Sequence, residues 1–482
     1  MGRRFWLFER RRFLKRSILF FLLVIVLLIP CDLFAQALDG ASLVSGGQAS
    51  SLSFEECYRK VAAHYPVLRR QNERIEMAIA EKYQSLAGLY PQIRGVSSVA
   101  TSDDPVTVFG MLLKQHKFSE DDFSLSRLNT PRHRTNFNFA LQGEMPLFNA
   151  FQTISRIRSS SLFVKAARFE REFLAMDSLL LATEAYLRIL AAEEELSLIG
   201  QVKSSAEEDL RQAEDLKNRG MVLGADFYAA KVILSRIERI REGVGFEIRS
   251  ARAVLNILMG EDPEKLYVLQ GNLPGKVREA QPLGDWLSRA YQSRKDLEAL
   301  SSRLKAMGIE KFREKTTILP RINAFTALEE DTHDWRTGGD NYIMGFKGTM
   351  DIFDPTYWGR WKRANHAENE LKEQMAILKD EIARSLADSV PRYESHLENL
   401  SILEQAVSDA GQATEQTALL YREGRKSIAD LLEMRAAYLE NAMKRVEVLS
   451  SAEFEYEKLL FLAGALDESH VGKIAERLEA GQ

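Results

Sequence analysis

Residues 135 to 148 alternate: Phe137, Phe139, Leu141, Gly143, Met145 and Leu147 fall on one side, and Asn136, Asn138, Gln142 and Glu144 on the other. This period of two predicts a strand with one apolar and one polar face. Tyr342, Met344, Phe346, Gly348, Met350 and Ile352 repeat the pattern against Ile343, Gly345, Lys347, Thr349 and Asp351. Short, β-compatible segments precede each at 92–101 and 321–330. Each pair reads as a hairpin, with strands at about 92–101 and 135–148, then about 321–330 and 341–353. Helical patterns surround them. Ser53 and Glu56 make a capping box, and His64-Tyr65-Pro66 breaks the helix it opens, because a residue before Pro avoids the helical region. After each hairpin a helical pattern fills the interval from Phe148 to Gly220 or from Phe353 to Gly424, enough for a helix of roughly 105 Å. Ala166, Phe169, Phe173, Met176, Leu180, Thr183, Leu187 and Leu190 form a heptad seam on the first. Ile233, Ile237, Ile240, Val244, Ile248, Ala251, Leu255 and Leu258 form another beyond Gly220, as in coiled coils. The charged residues opposite (Glu193, Glu194, Glu195, Arg236, Arg239, Arg241) read as solvated surface.

The chain is thus written twice. Phe148, Gly220, Asp226 and Gly260 recur 204 or 205 positions later as Phe353, Gly424, Asp430 and Gly464. Pro91 and Pro320, Cys57 and Trp286, and Leu68 and Leu297 are 229 apart. The copies run in register except for about 25 extra residues before Phe148. So long a period marks a duplicated unit rather than a short-repeat solenoid. The expected organisation is a signal segment 1–37, a first repeat 38–260, a Pro-rich linker 261–282, a second repeat 283–464, and a weakly patterned tail 465–482.

Composition narrows the class. Formal net charge is −4 over 482 residues, so no basic field points to nucleic acid, and 12 prolines suit long helices. Arg3 to Arg16 is basic, Ile18 to Ile29 is apolar, and Ala35-Gln36-Ala37 is an A-x-A cleavage site: an export signal. Leu28-Ile29-Pro30-Cys31 offers a lipoprotein box, and Arg10 to Lys15 a twin-arginine signal, as alternatives. Cys57 reads as a small buried residue. No zinc or catalytic constellation, P-loop or paired-glycine fingerprint appears, so neither an enzyme, a cofactor nor a metal site is expected.

Two isolated hairpins are marginal in water and leave open edges. Strands of about 10 residues with one apolar face can cross an outer membrane, but four strands cannot close a barrel with a usable lumen. Hydrocarbon demands that every edge be paired, so several identical chains must pool their hairpins in a ring.

The chain resembles the TolC-type outer-membrane efflux proteins from Leu52 to about Gly464. The resemblance rests on Leu52-Ser53-Phe54-Glu55-Glu56, Tyr90-Pro91-Gln92-Ile93, Met145-Pro146-Leu147-Phe148-Asn149, and the run from Tyr421 to Leu431. It implies a mainly α fold with membrane β: a homotrimer whose 12-stranded barrel continues as a long α-helical coiled-coil tunnel in the periplasm. It implies an exit duct in outer-membrane lipid, served by a periplasmic adaptor protein and an inner-membrane pump of RND or ABC type, in tripartite efflux or type I secretion. The alternative is a non-pore periplasmic coiled-coil adaptor, which predicts strands gathered in one region. The resemblance places acids of the closed aperture at Asp430 and Glu433, and contacts between helical hairpins at Asp226, Tyr421 and Lys426. Gly220 and Gly424 are the hinge glycines. Ser427 with Asp430 also reads as a plain helix cap. Glu433 aligns with Ala229 in the first copy, so only one of two equivalent helices carries both acids. The surplus at 102–134 reads as an outward loop, or as a plug or receptor surface using Phe109, His116, Phe118 and Phe123.

Overall fold

The computed structural model describes residues 50–334 and 338–480. The expected signal segment, with Cys31, lies outside the described residues. The chain runs β1 (Ser50–Leu52), α1 (Phe54–His64), α2 (Pro66–Ala87), β2 (Gln92–Ser102), α3 (Pro105–Lys114), α4 (Leu125–Asn129) and β3 (Arg134–Asn149). It continues with α5 (Gln152–Asn218), α6 (Gly224–Met259), β4 (Tyr267–Leu269), α7 (Leu283–Ser293) and α8 (Lys295–Lys315). β5 (Arg321–Thr332), β6 (Gly338–Thr349), α9 (Tyr357–Arg422), α10 (Ile428–Leu462) and α11 (His470–Glu479) complete it.

The four long strands form one antiparallel sheet in the order β2-β3-β5-β6. The two pairs meet through β3 and β5, with Leu141 opposite Leu328 and a register shift between Pro146 and Phe148. Strand alternation then sorts the side chains. One face carries Phe139, Leu141, Leu147, Leu328, Met344 and Phe346, all exposed. The other carries Asn136, Asn138, Gln142, Glu144, Asn323, Glu329, Asp331 and Asn341, with Val96, Phe325 and Ile343 as its large apolar exceptions. Among the described residues β2 and β6 have no strand partner on their outer edges. Pairing of β6 stops at Thr349 rather than near 353, because Asp351 and Asp354-Pro355 begin a turn in which the Asp354 carboxylate accepts from the Thr356 N–H.

α5 has 67 residues and α9 has 66, so each is roughly 100 Å long. α5 packs along α2, α6, α8 and α10, and α9 along α8 and α10. Both heptad seams face inward: Met176, Leu187 and Leu190 on α5, and Ile237, Val244, Ile248 and Leu255 on α6, are buried. Among the described residues no helix is long and apolar enough to cross a membrane.

The chief apolar core lies where α1, the 261–282 segment, α7 and α11 wrap the long helices. Tyr186 of α5 is fully buried there. Its hydroxyl lies 2.7 Å from the Gln270 carbonyl and 3.0 Å from that of Leu52, and accepts from the Gln270 N–H. Cys57 is buried in the same core, and desolvation pushes its thiol up to about 12.

Three expectations change. The 102–134 surplus is not an irregular loop: Asp104 caps α3 by accepting from the Thr107 N–H, and Pro105 starts it. The tail is not weakly patterned, because Ile474, Ala475 and Leu478 bury one face of α11. The charged helix faces are not simply solvated, since Arg252 pairs with Glu193 and Arg236 reaches across to α10.

Candidate functional site

Opposite ends of the long helices differ in kind. At one end strands turn into helices amid aromatic rings: Phe148 and Phe151 stack edge to face, as do Tyr357, Trp358 and Trp361 in a chain. At the other end each long helix reverses through five residues, 219–223 or 423–427.

Gly220 and Gly424 build those reversals. Both adopt φ of +72°, where a side chain would be strained. Around Gly220, the Met221 N–H donates to the Leu216 carbonyl and the Gly220 N–H to Lys217, each at 2.9 Å. Around Gly424, the N–H groups of Arg425 and Gly424 donate likewise to Leu420 and Tyr421. These are paired Schellman caps, which satisfy the last carbonyls of each helix. An added Cβ would meet nothing at either site, so conformation alone selects glycine.

The return helices start differently. α10 opens on Ser427, whose Oγ accepts from the Asp430 N–H while the Asp430 carboxylate accepts from the Ser427 N–H, both at 3.1 Å. That backbone hydrogen bond holds the Asp430 carboxyl below its ordinary value, helped by Lys426, whose Nζ is 3.9 Å away. α6 opens on Leu223, which has no side-chain oxygen to cap with. Ile428, Leu431, Leu432 and Leu439 take the packing face of α10 against Phe227 and Ala230 of α6 and Leu210 and Ala213 of α5. Asp430 and Glu433 therefore stand together on the open face.

The structure does not bring Asp226, Tyr421 and Lys426 together. Among the described residues the Asp226 side chain, in the first turn of α6, has no hydrogen-bond or ion-pair partner. The Tyr421 hydroxyl is buried without a partner, and burial followed by the nearby Asp209 pushes it up. Among the described residues Lys426 pairs with Asp430, one turn on. The contacts between the two helical pairs bring in Asp209, Arg435 and Glu440, which the sequence did not single out, beside Arg236 and Glu433, which it did. Arg435 Nε of α10 donates to the Asp209 carboxylate of α5 at 2.6 Å, with side chains 21% and 16% exposed. Arg236 of α6 lies 3.6 Å from Glu433 and 3.4 Å from Glu440. No local pattern marks these pairs, since Asp209 and Arg435 are 226 positions apart.

Above the tip, a cavity of about 1060 Å³ separates α5, α6 and α10. Glu195 lines it. Burial raises its carboxyl to about 7, reinforced by Glu247, Glu447 and Glu194 and opposed by Lys444.

The arrangement is one four-stranded antiparallel sheet with an exposed apolar face, joined to helices of roughly 100 Å. Solved structures share it. CmeC, an outer membrane channel of Campylobacter jejuni, aligns at 16% identity over 92% of this chain and 97% of its own, with a TM-score of 0.69. The outer membrane protein VceC of Vibrio cholerae aligns at 16% identity over 85% of this chain and 96% of its own, TM-score 0.69. The open state of the MtrE outer membrane channel of Neisseria gonorrhoeae gives 14%, 89%, 95% and 0.66 respectively. The chain has the fold of the TolC-type outer-membrane efflux proteins. No protein-family model and no curated protein matches the sequence.

Proposed function

We propose that this chain is the outer-membrane exit duct of a tripartite efflux or type I secretion system. The observation that carries the reading is the single β2-β3-β5-β6 sheet, apolar and exposed on one face and polar on the other, with both edges open. Such a sheet is stable in hydrocarbon only if its edges are paired. A ring of three copies pairs them into a 12-stranded barrel, whose polar faces line water and whose apolar faces meet lipid. The aromatic residues Tyr90, Phe151 and Trp358, all exposed where strands meet helices, supply an interfacial girdle. The long helices continue the duct through the periplasm. The recurrent order of helix, two strands and two long helices supports a duplicated unit, 38–260 and 283–464.

In this ring the α10 tips gather around the axis. Asp430 and Glu433 then contribute six carboxylates at a closed aperture, which attract cations and resist tight packing. The Arg435–Asp209 and Arg236–Glu433 pairs act as the ties between helical pairs, with Gly220 and Gly424 shaping the tip. The tip is the surface for a periplasmic adaptor, and transport is driven by an inner-membrane pump. The duct has no catalytic role of its own.

Reconstitution tests this. The purified protein is expected to show heat-modifiable migration and cation conductance in planar bilayers. A heat-insensitive protein with no conductance would return the reading to a non-pore adaptor.

A further inference from the structure

Among the described residues the hydrogen bonds and ion pair between the β2–β3 insertion and the sheet lie on one face. Lys114 Nζ at the end of α3 donates to Glu329 Oε2 at 3.0 Å. Gln115 Nε2 donates to Asn136 Oδ1 at 2.7 Å and to the Thr135 carbonyl at 3.0 Å, while Arg134 Nε donates to Gln115 Oε1 at 2.7 Å. Asn341 Nδ2 of β6 donates back to the Lys114 carbonyl at 3.1 Å. Asn136, Glu329 and Asn341 all belong to the polar face. Gly339 gives an independent reading of the same geometry. A Cβ built there, on the side shared with Asn341, would clash with the Lys114 carbonyl oxygen. The insertion's backbone therefore rests on the polar face itself, and only glycine admits it.

The docking is firm. Val108, Met111 and Gln115, at helical spacing, are 3%, 7% and 1% exposed. The segment reaches from β3 across β5 to β6. Beneath it Asp331 is fully buried, accepting from Asn136 at 2.6 Å and Asn138 at 3.1 Å. Phe118 packs edge to face on Phe109 and Phe123, with ring centroids 5.1 and 5.6 Å apart, so the insertion has a small core of its own.

A loop standing off the rim as a receptor surface would leave the polar face open. We propose that residues 103–133 form a plug inside the barrel, three to a ring, and that this plug sets the largest species able to leave. The inference rests on the exit-duct reading, because only in a closed ring does the polar face become a lumen.

The test places a cysteine at Gln142, on the polar face eight positions along β3 from Arg134, in a background lacking Cys31 and Cys57. Whole cells are treated with a small impermeant maleimide or with a bulky polymer-linked one. Three proteins are compared: the parent, a deletion of 105–129, and the undocking variant Lys114→Ala with Gln115→Ala. The undocking variant leaves every strand hydrogen bond intact and carries the test if the deletion does not fold. The expected result is small-reagent labelling in all three, with bulky-reagent labelling roughly tenfold faster in both variants, because the side-chain bonds that hold the plug are gone. Equal bulky labelling in parent and variants overturns the plug and leaves the duct. Bulky exclusion in all three, with small-reagent labelling intact, also overturns it. No labelling by either reagent in any protein overturns the duct reading and the plug with it.

Discussion

Arg435→Ala is the most informative single change at the tip. Arg435 and Asp209 meet at 2.6 Å, and each side chain keeps only about a fifth of its surface in water (21% and 16%). Breaking a fully buried pair costs roughly 3–5 kcal/mol, and an exposed pair contributes under about 1 kcal/mol. A site this shielded falls between them, at about 2 kcal/mol. The unpartnered Tyr421 hydroxyl nearby limits the loss, because it can turn to the stranded carboxylate. If the tie exists in the closed tip and is broken in the open one, its loss shifts the opening equilibrium by roughly 30-fold. Single-channel recording in planar bilayers reads that shift as longer open dwell times. Asp209→Asn leaves the Arg435 guanidinium without a counter-charge but with an amide oxygen to donate to, and should do less. The swap Arg435→Asp with Asp209→Arg should restore closure. An open probability within about twofold of the parent, with coupling in the double-mutant cycle below about 0.3 kcal/mol, would refute the tie.

Asp430→Ala with Glu433→Ala should raise conductance and weaken block by divalent cations. Ser427→Ala, which removes only the cap, should leave the block unchanged, and equal effects from the two would sink the carboxylate ring. Glu195 binds its proton more tightly when folded, so stability is highest below its ordinary value of 4.5 and falls as pH rises toward about 7, by at most about 3 kcal/mol. Glu195→Gln should flatten that fall in thermal melts between pH 5 and 8; an identical slope in the variant would show that Glu195 does not cause it. Tyr186→Phe removes the buried hydroxyl's bonds to the Leu52 and Gln270 backbone and should cost about 1–2 kcal/mol, lowering Tm by a few degrees. An unchanged Tm would mean that water or Gln270 re-satisfies the site.

Much of the fold is legible because its signals are local. The strand at 134–149 announces itself by period two, and Gly220 and Gly424 by the left-handed backbone that ends a helix. The capping role of Asp430 follows from Ser427 three residues earlier. What escapes is of two kinds. α3 and α11 were hidden by their surroundings: Asp104-Pro105 is a helix start, but the Asp, Ser and Arg around it read as loop, and Ile474 and Leu478 form too short a stripe to stand out. The ties Arg435–Asp209 and Arg236–Glu433 are invisible for a different reason. They join helices packed side by side from distant parts of the chain, and no spacing rule within one helix encodes them. The side of the sheet on which the insertion lies has the same origin, since it depends on Lys114 meeting Glu329 of β5 and Asn341 of β6, more than 200 positions along the chain.

The central claim is that the free edges of β2 and β6 pair between copies and that the ring closes at three. Disulfide formation reads this directly, in a background lacking Cys31 and Cys57. A cysteine at Ser98 in β2 is combined in turn with cysteines at Asn341, Ile343 and Gly345 in β6, all on the polar face. The account predicts that one register cross-links efficiently in the membrane, giving a ladder that stops at a covalent trimer. No cross-link in any register, or a ladder that runs past three, would contradict it.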